Sequence, residues 1–346
     1  MMNPKNITHL PIPPHFNREK VREVWRVAYQ EIATEAEIFA QHYNIQPAVT
    51  DQNQICLLLI DVQNTFCIPD FELFVGGKTG NGAVEDNQRL CEFIYRHLGV
   101  ITKIIPTLDT HTAMQIFHPI FWVNAQGEHP TPAATNIRPA DIEQGIWQVN
   151  PAVAHSLTNG DYELLRKQAL HYVKQLSQDG KYPLVVWPYH SMLGGIGHAL
   201  VSSLEEAIFF HSIARQSQAQ FELKGENPFT ENYSILRPEV LIGWDNQPIG
   251  NKNTNLIQQL LKYDAVIIAG QAKSHCVAWT IEDLLTEIKQ VDSTLTKKIY
   301  LLEDCTSPVV VPGVVDYTEQ ANTIFARFAD AGMHIIKSTE ELVIDK

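Results

Sequence analysis

The sequence predicts an α/β fold: a mostly parallel, doubly wound sheet with helices on both faces. Two observations predict it. Short unbroken apolar runs alternate with stretches of helical periodicity along most of the chain, and run after run ends in an ionisable side chain. The clearest run covers residues 265–269, closes on Gly270, and is followed by helical spacing over residues 278–285. Five apolar residues in a row suit a strand buried on both faces. Cys276 therefore stands where a strand gives way to a helix. The positive end of a helix dipole favours the thiolate that a nucleophile or metal ligand must be.

From the N-terminus, a Pro-rich arm (Pro11, Pro13, Pro14) leads into residues 17–43, where Val21, Val24, Trp25, Val27, Ala28, Ile32 and Ala36 recur at helical spacing. Residues 55–61 read as a buried strand ending in the carboxylate of Asp61. A loop with Gly76, Gly77, Gly80 and Gly82 precedes a helix over 84–97. Its Gly77-Lys78-Thr79 lacks the upstream glycine of a phosphate-binding loop. A second strand, 101–108, ends in Asp109-Thr110-His111. A polar, Pro-rich passage over 119–148 and a helix over 161–176 then read as an insertion, about 119–180, serving as a lid or as a contact in a homo-oligomer.

Alternation resumes with a short strand at 184–188 leading to His190, a helix over 198–215, and a strand over 221–225 that carries Lys224. The chain finishes with a helix over 254–262, the run at 265–269, a strand at 298–302, a helix over 315–331 and an edge strand at 333–337.

A chain of 346 residues that is 45% hydrophobic can build a sizeable core. With 26 basic against 39 acidic residues, a net charge of −13 and no Lys/Arg run, nothing is set to track a polyanion, so nucleic acid is excluded as a partner. The five cysteines are odd in number and scattered, neither a disulfide framework nor a zinc knuckle, which points to a reducing compartment. No stretch has the apolar length of a membrane span or signal peptide. The expected setting is soluble and cytoplasmic, with no membrane partner.

In open parallel sheets ligands bind beyond the carboxyl ends of the strands. Read off in order, those ends carry Asp61, Asp109 with His111, His190, Lys224 and Cys276. Alternate residues at a strand end point the same way, so Asp109 and His111 can close on one cation. With His190 they make a carboxylate and two imidazoles, a three-ligand set that leaves positions open for water or substrate.

These residues carry a resemblance. The chain resembles the isochorismatase-like cysteine hydrolases, and within them most the nicotinamidases. The matching pieces are Leu-Leu-Ile-Asp-Val-Gln-Asn-Thr-Phe at 58–66, Leu-Asp-Thr-His at 108–111, Val-Trp-Pro-Tyr-His at 186–190, Leu-Lys-Gly at 223–225 and Gly-Gln-Ala-Lys-Ser-His-Cys-Val at 270–277. The resemblance covers about 55–340 and implies an isochorismatase-like hydrolase domain over 51–346, with 1–50 as an N-terminal extension. It implies a triad of Asp61, Lys224 and Cys276, and a divalent metal (Zn, Fe or Mn) on Asp109, His111 and His190. It further implies that Phe66 and Trp187 sandwich an aromatic ring, that the Gln271–Ala272 peptide is cis, and that the amides of Ala272 and Cys276 face an oxyanion.

The reaction implied is hydrolysis of nicotinamide or a related aromatic carboxamide, a small-molecule amide, to acid and ammonia through a thioester. Lys224 favours the thiolate and Asp61 carries its proton. Each oxyanion donor is worth on the order of 3 kcal/mol. The chain departs from the family's pattern at Ser274 and His275, where an acidic and an aromatic residue are usual, and at Ser191, where nicotinamidases often carry Cys. His118 is a candidate further metal contact. The alternatives are a metal-free isochorismatase or carbamoyl/ureido hydrolase, and a catalytically silent binding protein that uses the insertion as a partner surface.

Overall fold

Strands β1 (Ile55–Ile60), β2 (Lys103–Asp109), β3 (Glu222–Lys224), β4 (Ala265–Gly270), β5 (Ile299–Leu302) and β6 (His334–Ile336) form one sheet in the order β6-β5-β4-β1-β2-β3. They are seen in a computed structural model that describes residues 9–178 and 182–344. The pairings β1–β2, β1–β4, β4–β5 and β5–β6 are all parallel. The expected α/β architecture is present. Its main helices are α1 (Tyr29–His42), α2 (Gly82–Arg96), α3 (Tyr162–Gln178), α4 (Ser202–Ala214), α5 (Thr254–Lys262), α6 (Cys276–Val291) and α7 (Thr318–Asp330).

The chain divides into two compact units, one made of residues up to Leu108, Ala199–Glu222 and from Thr254 onward, the other of Asp109–His198 and Leu223–Asn253. In the first unit, Leu57, Leu59, Ile267 and Ala269 share a core with Leu90, Ile94, Leu204 and Ile208. Alternate residues of the same strands, Cys56, Leu58, Val266 and Ile268, are equally buried, which a strand covered on both faces requires. Gly270 ends β4 at φ +117°, where a Cβ would lie 2.0 Å from the Ile60 carbonyl oxygen, so only glycine lets β4 close against β1 here.

Three expectations are corrected. The periodic stretch 17–43 is helical only from Tyr29. It starts as a 3-10 turn at Arg18–Arg22 capped by Asn17 and then runs extended, because the Ser202 hydroxyl accepts from Trp25 N and donates to Trp25 O, both at 2.9 Å. The passage 119–148 is not merely polar: Phe121, Trp122 and Ile137 are fully buried with Leu165, Tyr172 and Val186 in the core of the second unit. Its strand pairing comes as two-residue antiparallel ribbons, and Pro139–Glu143 forms a short helix. Residues 184–188 do not join the parallel sheet. Leu184–Val185 pairs antiparallel with Asn136–Ile137, because Pro183 and Pro188 bracket it and lack the N–H that a longer ladder needs. Among the described residues no helix is long and apolar enough to cross a membrane.

Candidate active site and metal centre

In the first unit, β4 runs through Gly270 into a turn whose Gln271–Ala272 peptide is cis. His275 N and Val277 N both donate to the Ala272 carbonyl, at 2.9 and 3.2 Å, which closes the turn and sets Cys276 as the first residue of α6. Cys276 is 9% exposed, whereas Cys56, Cys67, Cys91 and Cys305 are completely buried. Val309 N donates to the Ser274 hydroxyl at 3.0 Å, and that hydroxyl lies 2.8 Å from His275 Nδ1. Burial pushes His275 down to about 3, so its ring is neutral. It meets Tyr317 edge-on at 4.9 Å. Ser274 and His275 thus build the turn's packing.

Asp61 follows β1, fully buried and in the left-handed region at φ +46°, uncommon for a residue with a side chain. The Thr107 hydroxyl donates to Asp61 Oδ1 at 2.5 Å, and Thr107 Oγ1 accepts from Asp61 N at 3.0 Å. Sequence reading missed Thr107. Nothing local in the sequence marks it: its role comes from β2 lying beside β1, which brings it to Asp61. Phe66 belongs to the first unit's core and is 9% exposed.

In the second unit, Asp109, His111 and His190 are buried with ligand atoms all within 4.8 Å of one another. Backbone pairing brings them together: Thr110 N donates to Lys224 O, His111 N to Ser191 O and Leu193 N to His111 O. His111 Nδ1 lies 3.2 Å from the Gly225 carbonyl and His190 Nδ1 lies 2.7 Å from the Pro188 carbonyl. Carbonyl oxygens only accept, so in both rings Nδ1 carries the proton. Their Nε2 atoms then face Asp109 Oδ2, at 2.7 and 3.4 Å. Asp109 Oδ2 and, wherever a ring is neutral, the lone pair on its Nε2 converge on one point, an arrangement that a positive centre between them would satisfy.

His118 adds to this picture. Its Nδ1 lies 3.2 Å from the Ala113 carbonyl, and its buried Nε2 has no hydrogen-bond partner among the described residues. Its ring sits 5.8 Å from those of both His111 and His190. Burial and the neighbouring His190 and His111 push it down to about 3. Burial likewise lowers His190. Burial alone would raise Asp109, but His111 and Lys224 hold it well below the usual carboxylate range. One carboxylate and imidazoles whose far nitrogens are anchored to backbone carbonyls fit a divalent cation of borderline softness.

Lys224 Nζ donates to Asp109 Oδ1 at 2.8 Å and to the Asn232 carbonyl at 2.9 Å. Gln115, also missed in the sequence, donates to the Gly225 carbonyl at 2.6 Å and so supports the carbonyl that orients His111. Trp187 Nε1 donates to the Tyr233 hydroxyl at 3.3 Å. The second unit therefore gathers Asp109, His111, His190, Lys224 and Trp187, while Asp61, Phe66, Ala272 and Cys276 belong to the first.

No protein-family model matches the chain, and no curated protein sequence does. Among solved structures the chain is similar to a nicotinamidase/pyrazinamidase of Acinetobacter baumanii at 18% identity and a TM-score of 0.47, over 84% of this chain and 98% of that one. It is similar to the yeast nicotinamidase Pnc1p at 17% and 0.49, over 82% and 99%. A pyrazinamidase of Pyrococcus horikoshii in complex with zinc gives 17% and 0.43, over 82% and 99%. At these values the likeness is at most one of fold.

Proposed function

We propose that the protein is a cysteine-dependent amidohydrolase acting on nicotinamide or a related aromatic carboxamide. The observation that carries this reading is the buried Asp109–His111–His190 cluster, whose imidazoles present their Nε2 atoms to one carboxylate oxygen. A divalent ion (Zn, Fe or Mn) held there, with His118 as a further donor, would supply a Lewis-acid point that orients a substrate through a ring nitrogen. Phe66 and Trp187 would flank that ring.

On this reading Cys276 Sγ attacks the amide carbonyl while Asp61 takes the thiol proton and returns it to the departing nitrogen. Lys224 favours the anion at sulfur, and the amides of Ala272 and Cys276 hold the tetrahedral oxyanion. Ammonia leaves and a thioester remains. Water then gives a proton to Asp61 and cleaves the thioester, and that proton returns to the sulfur as the acid departs. The domain layout belongs to the same reading: an extension over 1–50, a hydrolase domain over 51–346 and an insertion at about 119–180. So does a cytoplasmic setting, with which five free thiols agree.

Ammonia release tests the proposal across nicotinamide, pyrazinamide, aliphatic amides and ureido compounds, with and without chelator. An aromatic amide should be preferred and chelation should abolish turnover. Cys276→Ala should cut the rate by about 10⁴-fold or more. Full activity in that variant, or no release from any amide by the wild type, sinks the reading.

A further inference from the structure

Behind the thiol turn lies a set of buried hydrogen bonds that the proposed chemistry does not use. Asp86, on the first turns of α2, is 2% exposed and Gln271 is completely buried. Gln271 Nε2 donates to Asp86 Oδ2 at 2.8 Å, Ser307 N donates to Gln271 Oε1 at 3.3 Å, and Lys273 N donates to Ser307 O at 2.9 Å. The Ser307 side chain also hydrogen-bonds to Asp86. Gln271 N donates to Ile60 O at 2.8 Å, next to Asp61. Arg89 holds the other carboxylate oxygen, Asp86 Oδ1, at 2.8 Å. Residues 271–273 are thus gripped by a side-chain amide whose two ends are both engaged and by a backbone bond to the same serine.

We propose that Asp86 is a positioning residue: through Gln271 and Ser307 it holds the backbone of residues 271–276 and so sets where Cys276 and the amides of this turn meet a carbonyl. The inference rests on the reading of Cys276 as the nucleophile. A carboxylate is a costly group to bury, and here desolvation lifts it to about 6 against the hydrogen bonds of Ser307 and Gln271 and the charge of Arg89. An apolar residue would pack the same space without that cost, but it would leave Gln271 Nε2 without its acceptor. A buried donor without a partner keeps its full desolvation cost, which favours opening of the turn.

Three variants test this. Asp86→Ala removes the acceptor. Gln271→Leu removes the amide but keeps the Asp86–Arg89 pair, and carries the comparison should Asp86→Ala fail to fold. Asp86→Asn keeps an oxygen for Gln271. Amide hydrogen exchange over 271–277, alkylation of Cys276 by iodoacetamide followed on its own peptide, and kcat and KM for ammonia release are measured beside the urea midpoint.

For Asp86→Ala and Gln271→Leu, exchange over 271–277 should quicken and alkylation should change, each by about tenfold, while kcat falls by about tenfold with KM within about twofold. Asp86→Asn should recover most of each. Exchange and alkylation as in the wild type in either folded variant, or Asn no better than Ala, overturns the proposal. If the wild type releases ammonia from no amide, the catalytic reading fails, while exchange and alkylation still decide whether Asp86 holds the turn.

Discussion

Gly225 leaves the Asp109–His111–His190 cluster no spare room. It sits at φ +89°, and a Cβ there would lie 2.7 Å from His111 Cε1, 3.0 Å from His111 Nδ1 and 3.1 Å from Asp109 Oδ1. Gly225→Ala should therefore push His111 off its anchor and weaken metal binding by about 10- to 100-fold, the range for lost outer-sphere support. Competition with a chromogenic chelator measures it, and wild-type affinity in the variant would contradict the geometry. Asp109 and His111 were legible because two ligand types stand at alternate positions after an apolar run. Thr107 and Gln115 were not, because their roles come from partners 46 and 110 positions away. An ordinary Thr or Gln carries no local mark of such a partner.

At the scale of elements, propensity and periodicity served where an element's partner is regular. β4 and α5 match the expectation to within a residue, as a run of apolar residues and an amphipathic stretch should. They served less well where another part of the chain supplies the backbone bonds, as Ser202 does for the extended stretch before α1. Helix α1 itself packs on α4 through a face that includes the buried Ile32 and Ala36. Ile32→Ala should lower the unfolding free energy by about 2–4 kcal/mol, the usual cost of emptying a buried Ile site. Urea unfolding gives the number, and a loss under about 0.5 kcal/mol would mean that α1 is not held by this face.

Across the whole molecule, burial keeps several imidazoles neutral: His97 and His211 are pushed down to about 4, His118 and His275 to about 3. Unfolded, the same rings titrate near 6.5. Below that pH the unfolded chain takes up protons that the folded chain refuses, so their stabilising contribution is full above about 6.5 and drains away as pH falls toward 4. Three carboxyls act in the opposite sense. Burial lifts Asp86 to about 6, Glu206 to about 7 and Glu231 well above the usual carboxylate range, and each destabilises the fold as pH rises through the interval between its unfolded and folded values. Burial lowers His15, His190 and His198 as well, and seven imidazoles against three carboxyls leave the histidines dominant. The metal-free protein should lose on the order of 2 kcal/mol or more between pH 7.5 and pH 5. A urea midpoint that stays level or rises over that interval would show the sign to be wrong.

The sequence by itself determined the strand–helix alternation and which chemical groups stand at the ends of the apolar runs. Both are local properties, written in the spacing of neighbouring side chains. Only the tertiary structure decided that residues 119–148 build a second core and that Leu184–Val185 leaves the parallel sheet. It alone gave Lys224 to Asp109 and Gln271 to Asp86. The reason is physical: a buried polar group must find a partner, and which one it finds depends on what packing brings within about 3 Å, however far away it lies along the chain.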